Sequence, residues 1–152
     1  MNPIAIGSDH AGLSPKEELV RFLREEKDDV VDVGTYDSVP VDYPDIARKV
    51  GAALQDGRSR KGILICGSGV GASVAANKLR GIRAGLCHDS YSAHQGVEHD
   101  DMNVLCLGAR VVGTEVAKEW VSAFMKAKFS NAERHIRRLN KVKEIETMAA
   151  IR

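Results

Sequence analysis

The sequence predicts an α/β fold: a Rossmann-like, doubly wound sheet of five parallel strands in an α/β/α sandwich. Short apolar runs alternate with amphipathic stretches along all 152 residues, and three of those runs are continuously apolar, as strands buried on both faces are. The stretches between them carry helix start signals and apolar stripes at helical spacing. Strand–helix–strand units of this kind build parallel sheets through right-handed crossovers. Five strands suit the order 2-1-3-4-5, which places a ligand crevice outside the carboxyl ends of strands one and three, where the winding reverses.

The elements follow in chain order. Residues 4–8 are the first strand. Ser14-Pro15-Lys16-Glu17 reads as a capping box with proline at the first helical position, and Leu19, Val20, Phe22 and Leu23 form the buried stripe. Residues 30–34 are the second strand. Tyr43-Pro44-Asp45 opens a helix with Ile46, Val50 and Leu54 on one face. The third strand, 62–66, runs into a glycine loop and then a helix expected over 72–79. Residues 84–87 and 104–107 are strands four and five. Thr114-Glu115 opens a helix carrying Val116, Trp120, Val121 and Phe124. The last segment, 133–152, reads as an amphipathic helix with Ile136, Leu139, Val142 and Ile145 as its apolar positions. No strand follows to cover it, so it is expected to pack on a partner subunit. Nothing divides the chain, which reads as one domain over 1–152.

Composition narrows the function. The chain carries 22 basic and 21 acidic residues, a formal net charge of +1, and no long block of like charge, so no nucleic-acid partner is expected. The longest apolar runs fall far short of a membrane span, and Met1-Asn2-Pro3-Ile4-Ala5 has no leader pattern. Cys66, Cys87 and Cys106 form no even framework and no C-x-x-C pair, which suggests free thiols in a reducing compartment. The expectation is a soluble cytoplasmic domain.

The strongest motif is Cys66-Gly67-Ser68-Gly69-Val70-Gly71. Alternating glycines between a buried strand and a helix let backbone N–H groups point at an anion. The loop lacks the Lys-Ser/Thr ending of a P-loop, and its third glycine falls one residue early for a dinucleotide fingerprint. Cys66 faces that run of amides, a setting that favours a thiolate, whereas Cys87 and Cys106 read as small buried apolar residues at strand ends. Asp9 and His10 end the first strand beside the loop; a capping role is the alternative to a functional one. His99, just before the fifth strand, is read on the same sheet edge, either as an exposed histidine or as part of the site. His94, Glu98 and His99 match no zincin spacing, and no metal is assigned. Arg134 and Arg138 lie four apart on one helix face. Both a solvated basic face and a bidentate clamp on a phosphate monoester fit them. Arg110 follows the fifth strand and adds a further cation at the same edge.

Taken together, these residues resemble the family of ribose-5-phosphate isomerase B and the galactose-6-phosphate isomerase subunits. The matching pieces run in order from residue 4 to about 145: G-S-D-H-A-G (7–12), D-Y-P (42–44), I-C-G-S-G-V-G (65–71), A-A-N-K (75–78), G-I-R-A (81–84), N-V-L-C-L-G-A-R-V-V-G (103–113) and R-H-I-R-R (134–138). The resemblance implies an aldose–ketose isomerase that needs no cofactor and works through a cis-enediol, with ribose 5-phosphate as the leading substrate. It implies that Cys66 moves a proton between C1 and C2; relatives that use a glutamate instead carry it where this chain has Ala72. The amides of Gly67, Ser68, Gly69, Val70 and Gly71 would stabilise the enediolate, and Ser68 would pass protons between its oxygens. His99, with Asp9, would open the furanose ring. His10, Arg110, Arg134 and Arg138 would hold the phosphate, and Tyr43 would line the pocket. Members of the family are homodimers or homotetramers with shared active sites.

Two places depart from the family pattern. Asp100 stands where an asparagine usually follows the histidine and contacts sugar oxygens, and Gln95-Gly96 replaces a common Ser-Arg. A carboxylate there exchanges an amide donor for an acceptor, which leaves the sugar open. A tetrulose phosphate or a six-carbon aldose phosphate competes with ribose 5-phosphate, and a non-catalytic sugar-phosphate-binding module is the reading from another class.

Overall fold

The computed structural model of the chain describes residues 3–151; Met1, Asn2 and Arg152, which the readings above include, lie outside them. Strands β1 (Ile4–Ser8), β2 (Val30–Asp32), β3 (Lys61–Cys66), β4 (Ala84–Leu86) and β5 (Val104–Gly108) form one sheet. All neighbours are parallel, as expected. The order is β2-β1-β3-β5-β4, which corrects the expected 2-1-3-4-5 at its far end. The reason is burial. All five residues of β5 are buried, which needs a strand on each side, whereas β4 has three residues that are only partly covered. A short, half-exposed strand belongs at an edge. The Asn77 side chain covers that edge, bonding the Ala84 N–H and C=O at 2.8 and 2.9 Å.

Helices α1 (Leu13–Glu25), α4 (Ser90–Asp100) and α5 (Thr114–Lys126) cover one face. Their core includes Leu19, Leu23, Val97, Val121 and Phe124 against Ile4, Ile63 and Leu105. Helices α2 (Tyr43–Gln55) and α3 (Val70–Ala76) cover the other, packing Ile46, Val50 and Ala72 on Leu64, Cys66 and Cys106. A fully buried side chain such as Phe124 or Leu105 contributes about 1.5–3 kcal/mol. Lys61 closes the end of α5, its Nζ donating to the carbonyls of Phe124, Met125 and Ala127; burial holds its ammonium down to about 8.

Three local expectations are corrected. No capping box forms at Ser14: α1 starts at Leu13 and continues a single tight turn over His10–Gly12, capped by Asp9. The helix after the glycine loop begins at Val70, because Gly69 takes φ +79° and turns the chain at once. Cys106 lies in the middle of β5, not at its end. The last helix, α6 (Glu133–Ala150), packs on α4 and buries His135 and Leu139. Among the described residues no helix is long and apolar enough to cross a membrane.

Candidate active site

The registers Ser8↔Ile65 and Cys66↔Gly108 bring the carboxyl ends of β1, β3 and β5 level. Asp9 follows β1 and donates its N–H to the Ile65 carbonyl at 3.2 Å, so the first-strand motif stands against the residue before Cys66. Asp9 is 8% exposed. Its Oδ1 accepts from the N–H groups of Ala11 and Gly12 at 3.0 and 3.3 Å. Asp9 therefore does cap a turn, and its second oxygen takes part in neither bond. His10 is exposed, and its Nδ1 accepts from Val41 N–H at 3.2 Å. A neutral ring held this way carries its proton on Nε2, which makes that nitrogen a donor.

The glycine loop is set by close approaches. An added Cβ at Gly69 would lie 2.6 Å from Leu86 Cδ1 and 2.8 Å from the Leu107 carbonyl carbon, and its positive φ already favours glycine. At Gly71 the same atom would lie 2.7 Å from the Tyr43 ring, so Tyr43 rests on the loop. Gly69 N–H points at Cys66 Sγ, 3.1 Å away, which sets an amide proton against the charge a thiolate would carry. Cys66 is 4% exposed. Its carbonyl accepts from Ala109 N–H and the Gly67 carbonyl from Arg110 N–H. The exposed Ser68 has its hydroxyl oxygen 3.2 Å from Val70 N–H. The Arg110 guanidinium lies over Gly67, with Nη1 3.7 Å from where a Cβ would stand. That placement depends on β5 lying beside β3. The other two thiols differ: burial, then Asp89, pushes Cys87 up to about 11, and burial raises Cys106 further.

The remaining predicted residues form a second cluster. His99 and Asp100 end α4, before the start of β5. They therefore lie at the opposite sheet edge from Cys66, which corrects the expectation that His99 shares its edge. The reason is that a helix crossing back to the next parallel strand ends at the sheet's amino edge. His99 stacks on His135 of α6 with ring centres 4.0 Å apart, and its Nδ1 is 2.8 Å from Gln95 Nε2. His135 is 2% exposed, bonds Ser130 Oγ through Nδ1 and has no partner at Nε2. Burial first, then His99, Arg134 and Arg138, holds its pKa below the usual imidazole value. Arg134 and Arg138 are exposed beside it.

Sequence reasoning missed Gln95 and His135 as neighbours of His99. The i, i+4 spacing of Gln95 and His99 was a usable signal; the His99–His135 stack, between two helices, had none. Among the described residues no group of three or more His, Cys, Asp or Glu could hold a metal.

The profile of the family described as Ribose/Galactose Isomerase matches residues 4–142. The chain belongs to the ribose/galactose isomerase family. Ribose-5-phosphate isomerase B of Escherichia coli is 46% identical over 146 residues, 96% of this chain and 97% of that one. D-erythrulose-4-phosphate isomerase of Pectobacterium atrosepticum is 42% identical over 132 residues, 85% of this chain and 86% of that one. The solved ribose-5-phosphate isomerase B of Clostridium thermocellum superposes with a TM-score of 0.94 at 46% identity, covering 97% of this chain and 99% of that one. At these identities the family's sheet carries over strand by strand, the displaced β4 edge included.

Proposed function

We propose that this chain interconverts ribose 5-phosphate and ribulose 5-phosphate through a cis-enediol, without a cofactor. The observation that carries the reading is the Cys66 sulfur, buried at the end of β3 with the Gly69 amide proton directed at it. In the open-chain aldose, the Cys66 thiolate takes the C2 proton. The C2–H electron pair becomes the C1–C2 double bond, and the C1 carbonyl oxygen becomes an enediolate oxygen. Gly71 N–H, in the first turn of α3 and without an intrahelical acceptor, is placed to hold that oxygen. Ser68 moves a proton from O2 to O1, and Cys66 returns its proton to C1, leaving the ketose. His10, through Nε2–H, and Arg110 hold the phosphate.

His99, Arg134 and Arg138 complete the same site from a second copy of the chain, His99 to open the sugar ring and the two arginines to clamp the phosphate. Two observations support this. In one chain those residues lie at the opposite sheet edge from Cys66. The α6 stripe also remains open, with Ile136 40%, Val142 48% and Ile145 67% exposed. The assembly is thus a homodimer or a pair of homodimers, and the free buried thiols support a cytoplasmic setting.

A four-carbon sugar phosphate is the second reading. Asp100 in place of the usual asparagine supports it, as does the relative named for erythrulose 4-phosphate. The test is turnover of four-, five- and six-carbon aldose phosphates in D₂O by the wild type, Cys66→Ala and Asp100→Asn. Ribose 5-phosphate should acquire deuterium and give ribulose 5-phosphate, and Cys66→Ala should lose about 10²–10⁴ of the rate. Wild-type turnover by Cys66→Ala would remove the base. A faster four-carbon reaction that Asp100→Asn reverses would establish the second reading.

A further inference from the structure

Lys16 lies in the sequence within a helix start, yet it is 1% exposed. From α1 its Nζ donates to both carboxylate oxygens of Asp32, at 2.8 and 2.9 Å, and to the Thr35 carbonyl at 2.6 Å. All three ammonium protons are thereby used. The Tyr36 ring centre is 4.9 Å from the same nitrogen, and the Tyr36 hydroxyl donates to the Asp32 carbonyl. Asp32 Oδ1 also accepts from Gly34 N–H at 2.9 Å. One buried charge gathers residues 32–36 as the chain leaves β2.

Stability alone does not account for this arrangement. Taking an ammonium and a carboxylate out of water is costly, and an apolar pair of similar volume commonly does as well or better. An apolar pair cannot, however, fix the direction of a carbonyl. Thr35 is fixed in that way, and the Ser8 main chain brackets it through Ser8 N–H to Gly34 O and Thr35 N–H to Ser8 O. Residues 36–40 are then exposed. The segment is next tied to the body where Val41 N–H meets His10 Nδ1. Two residues further on, Tyr43 opens α2 and lays its ring on Gly71.

We propose that Lys16 is a positioning residue for the active site: its bonds to Asp32 and Thr35 set the path of residues 33–42, and thereby hold His10 as an Nε2–H donor and Tyr43 against the glycine loop. The consequence for substrate rests on the function proposed above; the consequence for His10 does not.

The experiment combines ¹⁵N NMR of the His10 ring with steady-state kinetics on Lys16→Met and Asp32→Asn. The wild-type neutral ring should be protonated at Nε2. In Lys16→Met it should become a mixture of tautomers, while KM for ribose 5-phosphate rises about tenfold and kcat stays within about threefold. Asp32→Asn, nearly isosteric, should move both readouts the same way by less, and it decides the matter alone if Lys16→Met does not fold. A folded variant with the wild-type tautomer overturns the proposal. A changed tautomer with unchanged KM upholds the positioning and counts against placing His10 on the phosphate, which His10→Ala checks separately.

Discussion

At the carboxyl ends of β1, β3 and β5 the reactive groups are held by main chain. Cys66 receives the Gly69 amide, Asp9 receives two amides, and Gly67 accepts from Arg110 N–H. Where α4 ends and α6 begins, they are held by other side chains: Gln95 on His99, His99 on His135, Ser130 on His135. These main-chain positions follow from the strand ends and from the path of the glycine loop. The second cluster depends on how two helices pack, and in the proposed reading it acts only across a subunit boundary. In that same reading the first cluster would carry the reaction, and the second would be the part free to vary with the sugar.

The sharpest break in this comparison is at Gly69. Gly69→Ala sets a Cβ against Leu107 main chain at a positive φ, so the loop must shift. Turnover should fall about 10²–10³-fold, the scale of losing one preorganised donor. Wild-type kcat in this variant would show that the loop does not cradle the reacting oxygen. Next in size is complementation. Cys66→Ala and His99→Asn should each be nearly inactive alone. Co-expressed, they should recover about a quarter of wild-type activity, because half of random pairs are mixed and each mixed pair has one intact site of two. No recovery in purified mixed pairs would place both clusters in separate roles.

Smaller effects belong to the second cluster. Arg134→Ala and Arg138→Ala should each raise KM about tenfold while leaving stability within about 0.5 kcal/mol, as exposed positions do. Thermal unfolding alongside kinetics reads both. The smallest effect is a pH dependence. The folded-state pKa of His135 lies below its unfolded value, so the unfolded chain binds this proton more readily. The stability it contributes is present above the ordinary imidazole value and is lost as pH falls through the lowered one. Between pH 7 and 5 the wild-type unfolding temperature should therefore drop more steeply than that of His135→Phe; equal slopes would remove His135 as the group responsible.

Much of the first cluster was legible because it lies along the chain: a buried apolar strand, a cysteine, then alternating glycines. Asp9 and His10 joined it by topology, since the expected order and the observed one both pair parallel strands one and three. The sequence also puts Arg110 at this edge, but not against the loop. Its approach to Gly67 needed β5 beside β3, and the signal was present in the unbroken apolar run 104–107, which marks a central strand better than 84–87 does. The Ser14 start failed for a local reason: a turn capped by Asp9 through the Ala11 and Gly12 amides leads straight into a helix that already begins at Leu13.

The sequence by itself determined the fold class, the family, the parallel sheet and the glycine loop that follows its third strand, because strand burial, helix periodicity and glycine spacing are local and periodic. Only the tertiary structure decided the outer strand order, the burial of Lys16, the stack of His99 on His135 and the separation of the site into two clusters. Each of these joins residues distant in the chain. Which strand takes the edge, and which cation is buried, is settled by packing against every other element at once, and no local pattern encodes that.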